Sequence, residues 1–360
     1  MTTHADQARA LLAEAARMPT SAGKFEVIAE AVRLADLHRD VPLGVEARLP
    51  LIAVAGSLLR GDAMAVAFTW CLHQYDRRPE LFAGWDPFAE YRTLIGRVVN
   101  FDTVTRRQVE EMVADLSNRL EREGRPPTLA LYARLVLGPD LGDRALSADA
   151  MAEFHRRRLT GALHPADRFQ HALFVGDDAA ALRLAEEHVL TSGRNTFDMH
   201  WYDVMGLLWR CGRAAEVPRW ATRAEKQVRV KDCYYWPFGK VVAALALLGR
   251  IADAVKVCGQ CQRAIREYTD PLTRLHFCLD MGVLFDRLHA LGRQAVLVRF
   301  ADGIPGGQPN GQYRVAEVRA WLAGQASELA ARFDRRNGND YFAGLIRDRA
   351  DLQRFAEPPG

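Results

Sequence analysis

The chain has 360 residues and a net charge of +3, with 49% hydrophobic and 26% charged residues, the balance of an ordinary globular protein. So small a charge does not by itself imply a nucleic-acid partner. No window approaches the ~18 consecutive apolar residues of a membrane span. The basic residues are nearly all arginine, lysine occurring only at Lys24, Lys226, Lys231, Lys240 and Lys256, so arginine counts carry little functional weight.

Taken in chain order, almost every segment reads as helix. MTTHADQARALLAEAARMPT is amphipathic and has an early acidic residue, unlike a secretory leader. The six cysteines (Cys71, Cys211, Cys233, Cys258, Cys261 and Cys278) fall mostly inside helical patterns rather than at framework spacings. Together these predict a cytoplasmic protein with reduced thiols. KFEVIAEAVRLADLH, VEARLPLIAVAGSLL and AMAVAFTWCLHQY place apolar residues at i, i+3, i+4. Gly23 and Gly61 read as turns between such runs, with Asn100 and Gly142 continuing the series. Thr105 and Gln108 form a capping-box pattern ahead of VEEMVADLSNRLERE.

Further on, a turn glycine returns at Gly176, Gly212 and Gly249, at an interval of roughly 36 residues, with Gly292 extending the series. A period of this length implies stacked helix pairs, because one pair cannot bury its own apolar face. By register, Ala295–Phe300 should be the second helix after Gly292, although its β-branched residues favour a strand. ADGIPGGQPNGQ, residues 301–312, reads as a Gly/Pro-rich linker. Residues 313–360 form two amphipathic helices suited to capping an array.

This pattern resembles the tetratricopeptide family, whose unit is a helix–turn–helix of about 34 residues. Ala181 and Ala254 match the small residue five after the turn, Ala224 and Cys261 the one twelve after it, and Trp201 and Phe238 the aromatic eleven before it. Met205, Val242 and Phe285 depart from the family's small residue seven before the turn, and most units lack the closing proline. The resemblance, to a divergent bacterial type, covers roughly residues 7–300. It implies an all-α fold: a right-handed superhelix of about eight antiparallel hairpins over 1–300, a linker at 301–312 and a helical cap at 313–360. It also implies a concave groove lined by the first helix of each pair.

Mapped onto that groove, Tyr202, Gly206, Trp209 and Arg210 come from one unit, Trp236 with Ala243 and Ala246 from the next, and Asp286 and His289 from the one after. Tyr202, Trp209 and Trp236 would anchor apolar groups, Arg210 would pair a carboxylate, and Asp286 and His289 would orient a polar group. The leading expectation is a non-enzymatic scaffold or regulatory sensor that binds a protein or peptide segment, with no cofactor, metal, nucleic acid or membrane. The alternative is a small-molecule enzyme or receptor with a closed pocket, where Asp198, His200 and Asp203 are the catalytic candidates. A third reading is self-association through an unsealed terminal repeat.

Other motifs point to structure rather than chemistry. Cys258-Gly-Gln-Cys261 lies mid-helix, without the strand and helix N-terminus a redox site needs and without a second CxxC for zinc. Gly306–Tyr313 has the glycine spacing of a phosphate loop, but Gln312 and Tyr313 replace the lysine and hydroxyl residue. His155-Arg156-Arg157-Arg158, with His164, reads as a solvated basic face.

Overall fold

The structure is a computed structural model, and it describes residues 3–190, 201–228, 235–267, 270–298, 300 and 303–355. The described residues contain 17 α-helices and one two-stranded antiparallel sheet, so the fold is all-α in class. None of these helices is long and apolar enough to cross a membrane. The chain divides into two compact units, residues 1–133 with Glu267–Asp270, and 134–266 with 271–360.

The first unit holds α1 (His4–Arg17), α2 (Ala22–Leu37), α3 (Val41–Ser57), α4 (Gly61–Tyr75), α5 (Pro87–Val98) and α6 (Arg106–Arg122). The division falls within α7 (Thr128–Leu141). Each helix from α1 to α6 packs on the next. Starts are set by side-chain caps. Thr3, Ser21, Asp40, Asp86 and Thr105 each accept a backbone N–H of the first turn. The Thr105–Gln108 pair forms a full capping box, as its spacing predicts.

Two turn assignments are corrected here. Gly23 lies inside α2, and Gly61 opens α4. The left-handed turns belong instead to Arg39 (φ 53°) and Leu59 (φ 57°). Gly61 is glycine because a Cβ there would sit 2.8 Å from the Phe101 ring and 3.0 Å from the Arg97 carbonyl oxygen. Its smallness admits a neighbour rather than bending the chain.

The second unit continues with α8 (Arg144–Arg156), α9 (Pro165–Val175), α10 (Asp178–Ala185), α11 (Trp201–Arg210), α12 (Val217–Val228), α13 (Tyr235–Leu247), α14 (Ile251–Glu267) and α15 (Pro271–Ala290). After the strands come α16 (Val315–Asn337) and α17 (Tyr341–Asp351). The returning glycines do sit at left-handed turns: Gly176, Gly212, Gly249 and Gly292 have φ of 84°, 73°, 71° and 70°. Consecutive helices pack from α8 to α13, while α13 packs on α15, α15 on α16 and α16 on α17.

The helix expected after Gly292 is absent. Ala295–Leu297 is instead strand β1, pairing antiparallel with β2 (Gln312–Arg314). Between them the Gly-rich stretch folds as a hydrogen-bonded turn, Gln308 N–H donating to the Gln312 carbonyl at 2.8 Å and Arg314 N–H to Gly306 at 2.9 Å. Period-2 alternation and β-branching outweigh helical register when a partner strand is within reach.

The corner between α16 and α17 returns to the C-terminal end of α7. Asn339 Nδ2 donates to the Leu141 carbonyl at 2.8 Å, and Arg336 Nη2 donates to that of Asp140 at 3.2 Å. These contacts satisfy carbonyls that a helix end leaves without an internal partner. Tyr341 packs edge-on against Phe174 of α9, ring centroids 5.6 Å apart. The last helices of the unit thus close onto its first ones.

Candidate functional site

That closure leaves a cavity of about 510 Å³ within the second unit, within the range of small-molecule sites. Its walls come from alternate helices. Gln170, Leu173 and Phe174 belong to α9, Asp203, Gly206 and Arg210 to α11, Lys240 to α13, and His276 and Leu279 to α15. Asp140 of α7 and Tyr341, Leu345, Asp348 and Arg349 of α17 complete them.

The polar groups are organised as held pairs. Lys240 Nζ donates to Asp203 Oδ1 at 2.8 Å, and Gln170 Nε2 donates to Asp203 Oδ2 at 2.8 Å. Both charged side chains are mostly removed from water, 9% and 14% exposed. Arg210 makes a bidentate contact to Asp178, at 2.9 and 2.8 Å, a geometry that holds the guanidinium plane. Arg349 of α17 reaches the fully buried Asp280 of α15 at 2.6 Å. Burial pushes the Asp280 carboxyl up and the Arg349 guanidinium down. The Lys240 charge opposes the shift of Asp280, and Asp203 adds to it.

His276 lies near the Lys240–Asp203 pair. Burial lowers its pKa to about 3, with the Lys240 charge adding to the effect and Asp203 opposing it. The imidazole is therefore neutral at physiological pH, a donor and acceptor beside a fixed cation. Perturbed titratable groups gathered in a cleft are the usual mark of a functional site.

The expected site residues fare unevenly. Arg210 and Asp203 line the cavity, as does Gly206, which was expected on the groove floor. Trp209 is buried at 3% exposure and does not line it. Its side chain is part of the buried core. Asp286 is ion-paired to Arg319 at 2.5 Å, and His289 is exposed; neither lines the cavity. Asp198 and His200, and the side chains of Tyr202 and Trp236, lie outside the described residues.

Lys240, His276 and the Asp280–Arg349 pair are not among the site residues that the sequence predicts. A signal existed for two of them: Lys240 heads the apolar run VVAALALL, and Asp280 interrupts LHFCLDMGVLF. A charge within an apolar helical stretch implies a buried partner.

Cys258 is buried in α14, and burial pushes its thiol up to about 12; the Cys261 side chain lies outside the described residues. Arg156 and Arg157 both pair with Glu153, and His164 caps α9. Among the described residues, no group of three or more His, Cys, Asp or Glu side chains could hold a metal ion.

No protein-family model matches the sequence, and none of the curated proteins matches it.

Proposed function

We propose that the protein is a non-enzymatic binding protein whose site is the cavity of the second unit. Its ligand is a small polar molecule carrying both charges, such as an amino acid or the charged end of a peptide. The observation that carries this reading is the arrangement around Asp203. Its two oxygens are engaged by Lys240 and Gln170, so it fixes a lysine at the cavity wall rather than serving as a ready base. With Arg210 and Arg349 held in the same way, the cavity presents preorganised cations interspersed with the carboxylates of Asp140 and Asp348. Preorganised polar groups on rigid helices reduce the ordering cost of binding.

The regulatory, tetratricopeptide-like reading remains a proposal alongside it. It is supported by the origin of the walls: α9, α11, α13 and α15 are alternate helices, each ahead of a left-handed turn glycine. These are the helices that would line a groove in a superhelix of such hairpins. In that architecture the same cavity would receive a peptide segment.

The test is calorimetry and thermal-shift screening of the purified chain against amino acids, di- and tripeptides and phosphorylated metabolites, with Asp203→Asn beside wild type. A ligand whose affinity falls at least tenfold in the folded variant supports the reading. Turnover of a bound compound that is lost in Asp203→Asn would replace it with the enzymatic one. Sedimentation across a range of concentrations tests self-association.

A further inference from the structure

We infer that α17 is a lid over the cavity, pinned at its N-terminal end and latched by Arg349, and that it opens while α16 stays docked. Its role as a ligand entry rests on the binding reading above, whereas its motion does not.

The two terminal helices are held very differently. Over 23 residues α16 buries Val315, Val318, Leu322, Ala326, Leu329, Ala330, Phe333 and Asn337. Over 11 residues α17 buries Phe342 alone. Yet Tyr341, Leu345, Asp348 and Arg349 all face the cavity, so beneath much of α17 there is space rather than packed side chains. Segments with few buried apolar contacts open at free energies well below that of global unfolding.

Besides its packing on α16, where Phe342 meets Phe333, α17 is held by specific contacts near its ends. At the start, the Asp334 carboxylate accepts the N–H groups of Phe342 and Ala343 at 2.8 and 2.9 Å. Asn339 is bonded to the Leu141 carbonyl, and Tyr341 lies against Phe174. Near the far end is the Arg349–Asp280 pair. A buried ion pair contributes little net stability, since release returns Arg349 to water, but it strongly fixes the closed register. Such a pair suits a latch. A lid hinged at a few residues at the end of an element is a common gating device.

The consequence is chemical access to Lys240, which is 7% exposed and lines the cavity together with α17. The experiment is acetylation of the native full-length chain by an N-hydroxysuccinimide ester, read at Lys240 against the exposed Lys256. Amide exchange across 315–351 is measured in parallel. Two variants are compared with wild type: Arg349→Met, which removes the latch, and Asp334→Asn, which weakens the α17 cap without altering the cavity lining.

We expect α17 amides to exchange faster than those of α16. Asp334→Asn should raise the Lys240 labelling ratio about fivefold, the effect of losing one helix cap, and Arg349→Met should raise it in the same direction. If Arg349→Met fails to fold, Asp334→Asn decides. A common exchange rate for α16 and α17 would overturn the proposal. So would a variant that loosens α17 while leaving Lys240 labelling unchanged. A lid that opens as expected, together with a ligand screen that finds nothing, would sink the binding reading alone.

Discussion

Lys240 and Asp203 meet across α13 and α11 at 2.8 Å, and neither has more than 14% of its side chain in water. The helices they join are themselves in contact, so the pair ties their packing to the cavity wall. Removing one partner leaves a charge without compensation in a poorly solvated place. Lys240→Met should therefore cost about 3 kcal/mol, at the lower end for a broken buried pair. Asp203→Asn with Lys240→Met should cost much less than the sum of the single changes. Urea unfolding of the four proteins supplies the cycle. Single variants within about 0.5 kcal/mol of wild type would show that the pair is solvated in practice.

Two left-handed glycines separate the cost of backbone geometry from that of crowding. Gly176 (φ 84°) has nothing within 4 Å of an added Cβ, whereas at Gly142 (φ 64°) that atom would lie 2.3 Å from Tyr341 Cβ. Gly176→Ala should cost about 1 kcal/mol, from the left-handed conformation alone. Gly142→Ala adds overpacking against the foot of α17 and should cost roughly 3 kcal/mol. It should also accelerate amide exchange in α17, which Gly176→Ala should not. Equal effects on both readouts would mean that Tyr341 gives way freely.

Local signals carried most of the helical reading. The Thr105–Gln108 box and the glycines at 176, 212, 249 and 292 were legible because a cap and a positive φ each demand particular residue types. The turns at Arg39 and Leu59 were not, since neither residue announces a left-handed conformation. The reason for Gly61 lies in the approach of Arg97 and Phe101, which no local pattern contains. The strand Ala295–Leu297 depends on Gln312–Arg314 beyond a loop, and its own residues suited either structure. At the site, Gly206 and Arg210 followed from position before the turn. Trp209, expected in the groove, is buried; aromatic density does not distinguish a groove from a core. Lys240, His276, Asp280 and Arg349 converge only through tertiary packing, so spacing along the chain could not join them.

Acid should weaken the second unit through His276. Its pKa is depressed from 6.5 to about 3 in the folded protein, so the unfolded chain binds a proton that the native state refuses. Stability is then fully present above about pH 6.5 and falls as the pH drops toward 3. Asp203 opposes the shift and Lys240 reinforces it, so the slope should persist in Asp203→Asn and become shallower in His276→Asn, where His171, also lowered by burial, retains a share. Denaturant midpoints between pH 7 and pH 4.5 check this. An equally steep decline in His276→Asn would assign the acid limb to other groups.

Cysteine reactivity gives a test that needs neither ligand nor structure determination. Cys71, Cys258 and Cys278 are buried, and burial raises each thiol to about 12. Cys211 is only partly covered, and its thiol is raised less strongly. The thiolate is the reacting form. At pH 8, iodoacetamide should therefore modify Cys211 well ahead of the other three, which should react only in denaturant. Peptide mapping after a short pulse distinguishes the four sites. Rapid native labelling of Cys258 would show α14 to be open around it and would restore the CxxC as a candidate for redox chemistry. Protection of Cys258 until unfolding would instead leave it as a small apolar residue filling the interior of α14's packing.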